Sequence, residues 1–92
     1  MHAVMVKVTV GDFDVALKGL HELVVPRVAE SPGFVTGYWT RPDEGNNGVA
    51  LIVYESDGAA RAAAERIRSG EAVLPETVTL NDVEVREVVA HA

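Results

Sequence analysis

An α+β fold in the order strand, helix, strand, strand, helix, strand is what this sequence predicts, and three observations carry it. Residues 2–10 alternate like a half-buried strand. Residues 13–31 place apolar side chains at helical spacing. A polar turn, "PDEGNNG" at 42–48, separates two further strand-like stretches.

In the first strand Val4, Val6, Val8 and Val10 share one face, and Met5, Lys7 and Thr9 the other. Gly11-Asp12 breaks it, and Asp12 suits a helix N-cap. The helix that follows carries Phe13, Ala16, Leu17, Leu20, Leu23, Val24, Arg27 and Val28 on its inner stripe, with Pro26 inside it as an expected bend. Ser31-Pro32-Gly33 ends it. Residues 34–41 read as a strand by aromatic and Thr content. Strict alternation puts Phe34 and Tyr38 on one face and Val35, Trp39 and Arg41 on the other. Asn47-Gly48 signals the hairpin, and 49–55, "VALIVYE", is a central strand. Ser56 or Asp57 caps a second helix over 58–69, with Ala60, Ala63, Ala64 and Ile67 inward and Gly70 at its end. In the tail, Val78 and Leu80 are in one phase and Val83 and Val85 in the other. The slip falls at Asn81-Asp82, so a bulge or turn belongs there, with 77–80 a short extension and 83–90 the last strand.

Right-handed crossovers then give the ferredoxin-like βαββαβ plait: a four-stranded antiparallel sheet, order 4-1-3-2, with both helices on one face. At 92 residues this is one domain, 1–92, with a small core. If Tyr54 faces the helices, Val49, Leu51 and Val53 point away from them. Aliphatics on a central strand should not face water, so a second copy is expected to cover that face, sheet against sheet.

Composition removes several functions. The net charge of −6, eight basic against fourteen acidic residues, argues against nucleic acid and against an anionic membrane surface. The absence of cysteine excludes disulfides, thiolate metal sites and a Cys nucleophile. No apolar run approaches the roughly 20 residues of a membrane span, and the N-terminus reads as a strand, not a leader. The expectation is a soluble, cytoplasmic protein without metal or cofactor. His2 and His91, near the termini, are a weak metal signal.

The segment "VVPRVAESPGFVTGYW", the polar hairpin and then "VYESDGAARAAAERI" resemble the dimeric α+β barrel superfamily, most closely its antibiotic-biosynthesis-monooxygenase-like branch. The resemblance covers nearly the whole chain, and its most specific parts are Pro32-Gly33-Phe34 and Tyr54-Glu55-Ser56. It implies dimerisation through the sheets into an α+β barrel, and a pocket between sheet and helices in each subunit. That superfamily includes cofactor-independent oxygenases of phenolic substrates, heme-degrading enzymes and isomerase-like members. Heme-degrading members use an Asn on strand one, a Trp ending strand three and a His on helix two. Val6, Tyr54 and Ala64 stand at those positions here, which speaks against heme degradation.

His21 and Tyr54 are the candidate catalytic residues, an imidazole suited to general base work and a phenol placed where the superfamily has a pocket aromatic. Tyr38, Trp39 and Arg41 are the candidate substrate-binding residues. Each has a plainer reading: Trp39 as core or interface packing, Tyr54 as a core ring with its hydroxyl satisfied, His21 as a half-buried surface residue. Two functions follow. One is a cofactor-independent monooxygenase-like enzyme acting on a small aromatic or polyketide-like molecule. The other is a non-catalytic dimeric small-molecule-binding or structural protein.

Overall fold

A computed structural model describes residues 1–92. Strand β1 (His2–Val10) leads into helix α1, which runs over 13–29 in three segments: α-helical Phe13–Gly19, a π-helical turn Leu20–Val24, and α-helical Val25–Ala29. Strands β2 (Phe34–Thr40) and β3 (Asn47–Tyr54), helix α2 (Asp57–Arg68) and strand β4 (Val78–Glu87) follow. The sheet is antiparallel with order β2-β3-β1-β4, as the sequence predicts, and the two helices complete a ferredoxin-like arrangement. No helix is long and apolar enough to cross a membrane.

Helix starts follow the expected chemistry. The Asp12 carboxylate accepts from the backbone N–H groups of Asp14 (3.0 Å) and Val15 (3.2 Å), and Ser56 Oγ accepts from Ala59 N–H at 3.1 Å. Gly70, with φ +83°, follows the last turn of α2, where a left-handed residue closes a helix. Pro26 does not act as a simple bend. The turn before it is π-helical, with Val25 N–H bonded to Leu20 C=O five residues back. The wider turn takes up the space and the missing donor that proline imposes on an α-helix.

Two bulges decide which side chains face the helices. Lys7 pairs with Asp82 but Val8 with Leu80, leaving Asn81 as the extra residue, held by its Nδ2 donating to Thr9 Oγ1 at 2.8 Å. The bulge turns the phase of β4 at the predicted place. Val83 enters the core, and Leu80 and Val85 pack against it from both sides of the bulge. The last strand is accordingly one element, beginning at Val78 and ending at Glu87, not a strand over 83–90. In β2, Phe34 pairs with Tyr54 and Thr36 with Val53, so Val35 is extra. This overturns the strict alternation: Phe34 and Trp39 pack on the same core, while Tyr38 lies on the other face, 63% exposed. In the hairpin the left-handed residue is Gly45, φ +86°, and Asn47-Gly48 already belong to β3.

The core lies under α2. Val4, Val6, Ala50, Ile52, Tyr54 and Val83 from the sheet meet Ala60, Ala63 and Ala64 from the helix. Helix α1 contributes no member to that cluster; Val28 alone of its stripe packs against it. The segment between α2 and β4 fastens α1 from the other side. Gly19 lets Pro75 come close, since a Cβ there would sit 3.2 Å from Pro75 Cβ. Thr77, at φ 68°, is a strained position for a β-branched residue. Its hydroxyl bonds both Asp12 N–H and Asp12 C=O, and its carbonyl accepts from Gly11 N–H at 2.8 Å.

Gly33 is the least replaceable turn residue. Its φ is +78°, and an added Cβ would stand 2.7 Å from Ala59 Cβ. Gly33→Ala should cost about 2 kcal/mol or more, combining left-handed strain with a clash against α2. The expected melting temperature drop is roughly 10 °C by calorimetry; an unchanged midpoint contradicts the account of this turn.

Candidate functional site

The side chains that make α2 a close neighbour of the sheet leave α1 standing off it. Ala60, Ala63 and Ala64 are 0–3% exposed, whereas Leu17, Leu20 and Val24 on α1 remain half-buried and only Ala16 of that helix is buried. Between α1 and the sheet lies a cavity of about 340 Å³. That is at the small end of the roughly 300–1,000 Å³ typical of ligand pockets. Its floor is the helix-facing side of β1 and β3, including Val6, Val8 and Ile52, and its wall is the stripe of α1. Ile67 and the 71–75 segment close the side next to α2. A sealed void of this size would cost about 8 kcal/mol at ~24 cal/mol per Å³, as much as the whole stability of a small domain. The cleft is open instead, and exposed Arg27, Thr40, Arg41 and Glu71 stand at its margins.

Of the residues singled out from the sequence, the structure brings Tyr54, Trp39 and Arg41 to this cavity. His21 does not line it; it is exposed on α1 and no side-chain hydrogen bond or ion pair holds it. Tyr38 lies on the opposite face of the sheet, put there by the Val35 bulge. Trp39 reaches the cavity by lying over Gly37, where an added Cβ would meet its ring carbons at 3.0 Å. Arg41 places its guanidinium carbon 4.8 Å from the centre of the Phe13 ring.

Tyr54 is 2% exposed, with its ring edge-on to Phe34 at 6.3 Å and 80°. Its hydroxyl is 3.0 Å from Ser31 Oγ. Ser31 donates its one hydroxyl proton to Val28 C=O, so the proton between the two side chains belongs to Tyr54. The phenol therefore donates to Ser31. This chain, Tyr54 to Ser31 to Val28 C=O, ties β3 to the C-terminal end of α1.

Sequence reasoning missed Ser31, Arg66 and Glu71 as cavity-lining residues. Ser31 reads as a helix stop, Arg66 carries no distinguishing signal on a charged helix, and Glu71 belongs to a segment with no regular pattern. The residues in the first turn of α2 form a separate group: Asp57 Oδ1 is 2.8 Å from Arg61 Nε and 3.7 Å from His2 Nε2. No group of three or more His, Cys, Asp or Glu side chains is placed to hold a metal ion. No protein-family model matches this chain, and no curated protein matches it.

The hydroxyl chain makes an asymmetric prediction. Tyr54→Phe leaves Ser31 bonded to Val28 and should cost about 0.5–1.5 kcal/mol. Ser31→Ala leaves a buried phenol proton unpartnered and should cost about 1–3 kcal/mol. Urea unfolding of both variants checks the order; Tyr54→Phe as the more damaging change contradicts the assigned proton.

Proposed function

We propose that this chain is a small-molecule-binding protein of the dimeric α+β barrel kind, resembling its antibiotic-biosynthesis-monooxygenase-like branch. The observation that carries the reading is the apolar cleft of about 340 Å³ between α1 and the sheet, with Trp39 and Tyr54 among its lining residues. A flat ring can stack on the indole. Burying the half-exposed stripe of α1 under a ligand recovers about 25 cal/mol for each Å² of apolar surface taken from water.

Binding fits the lining better than oxygenation does. A cofactor-independent oxygenase needs a base beside its phenol or quinol. The imidazole of His21 is outside the cleft, the Tyr54 proton is committed to Ser31, and Glu71 at the margin is the only carboxylate on the lining.

The occupant of the open sheet face is, in this proposal, a second copy of the chain. Register places Met5, Val49, Leu51 and Val53 together there, with Tyr38 beside Leu51. Lys7, Asp82, Glu84 and Arg86 lie on the same face towards β4. An apolar centre with charges of both signs at its border suits a self-complementary two-fold contact. Only 13 of the 92 residues are buried in the single chain, so a sheet-to-sheet partner would add most to a core this small.

Titration with N-phenyl-1-naphthylamine, an uncharged dye that brightens in apolar surroundings, tests the cleft. Saturable emission at micromolar dye is expected. Val24→Trp, which fills the cleft from α1, should abolish it while the far-ultraviolet circular dichroism is retained. An emission that never saturates, or that survives Val24→Trp unchanged, removes the reading. Light scattering at micromolar protein should give twice the chain mass, and Leu51→Glu should give the single-chain mass; a monomeric native protein ends the dimer proposal.

A further inference from the structure

The cleft is apolar, yet its margin is cationic in an acidic protein. Arg27 from α1, Arg41 after β2 and Arg66 in the last turn of α2 all line it, against one carboxylate, Glu71, in a chain of net charge −6. None of the three arginines has a carboxylate partner: the ion pairs of the chain are His2–Asp57, Arg61–Asp57 and Arg86–Glu84. Nor does any of them make a side-chain hydrogen bond, unlike Arg68 and Arg86. With fourteen acidic residues available, three cations left unpaired around one cleft are not explained by the fold alone.

Their placement adds direction. Arg41 lies against the face of Phe13, at the start of α1. The Arg41 guanidinium N–H groups have no hydrogen-bond partner in the chain, and a guanidinium matches a carboxylate in a two-point contact. Arg66 C=O accepts from Ala72 N–H, so Arg66 stands beside the segment that runs on to Thr77 and the same β1–α1 turn. The other end of the cleft has the Tyr54–Ser31 pair, whose hydroxyl protons are both committed and do not suit an anion.

Building on the binding reading above, we propose that the ligand is an amphipathic carboxylate. Its carboxylate is held at the Arg41 and Arg66 end, and its apolar body lies along the cleft towards Trp39 and Tyr54. Arg27, one residue before Val28, stands at the Tyr54–Ser31 end and is not part of the carboxylate site. The negative charge of the rest of the chain weakens non-specific attraction of anions, so recognition depends on the carboxylate and the apolar body together.

Calorimetric titration with 2-naphthoate and with its uncharged isostere 2-naphthamide decides the matter. The expected result is at least about tenfold tighter binding of 2-naphthoate at low salt, narrowing at 0.3 M salt as the exposed guanidinium contacts are screened. The double variant R41Q/R66Q should lose about tenfold in 2-naphthoate affinity and leave 2-naphthamide unchanged, while R61Q, outside the cleft, should change neither. Equal affinity for the two compounds, or an equal loss of both in R41Q/R66Q, overturns the carboxylate proposal while leaving the cleft as a binding site. Binding of neither compound overturns it as well, and together with failure of the uncharged dye removes the binding reading.

Discussion

Three alanines set the spacing on which the rest of the structure depends. Helix α2 meets the sheet through Ala60, Ala63 and Ala64, with Ile67 at its end, and a helix that presents mostly methyl groups can approach more closely than one presenting leucines. Helix α1 shares the same face of the sheet but presents Leu17, Leu20 and Val24. The two helices cannot both sit at the height the alanines set. Helix α1 is held at its ends instead, by Val28 and the Ser31–Tyr54 bond at one and by the Thr77–Asp12 bonds before the other, with Pro75 against Gly19 between them. What remains between those fixings is the cleft.

That geometry also explains the chemistry of the lining. A space bounded by strand faces and a helical stripe inherits their apolar side chains, and polar groups enter only where elements end. Tyr54 is the last residue of β3, Arg41 follows β2, Arg66 is in the last turn of α2, and Ser31 and Glu71 are in connecting segments. The cleft is therefore apolar along its length and polar at its ends. An elongated ligand with a charged group at one end matches that distribution better than a uniformly polar molecule.

The order of elements, the Asp12 cap and the slip at Asn81-Asp82 were legible because each rests on a local signal, period, capping oxygen or phase; the sheet order followed from crossover handedness, and the cap of α2 was narrowed only to Ser56 or Asp57. The Val35 bulge carried no such signal. Phe34, Tyr38 and Trp39 are compatible with unbroken alternation, and only packing of Phe34 on Tyr54 shows that the strand shifts by one residue. That single shift moves Trp39 to the cleft and Tyr38 away from it. Tyr54, Trp39 and Arg41 could be nominated from residue type, but their meeting in one cavity depends on pairings across the whole chain. His21 could be nominated from residue type alone, and the π-helical turn that begins at Leu20 changes the angular count of the helix just there. The Arg66 and Glu71 contributions depend on how the 71–75 segment folds back, which periodicity does not address.

The claim underlying all of this is that α2 packs tightly while the middle of α1 stands away from the sheet. Methyl nuclear Overhauser spectroscopy of the ligand-free protein tests it directly. The account predicts strong cross-peaks from the Ala60 and Ala64 methyls to Val4 and Val6, and from Val28 to the same core, with none from the Leu20 or Val24 methyls to Val6 or Ile52. Strong cross-peaks from Leu20 and Val24 to those strand residues would mean that α1 has closed onto the sheet and that no cleft exists.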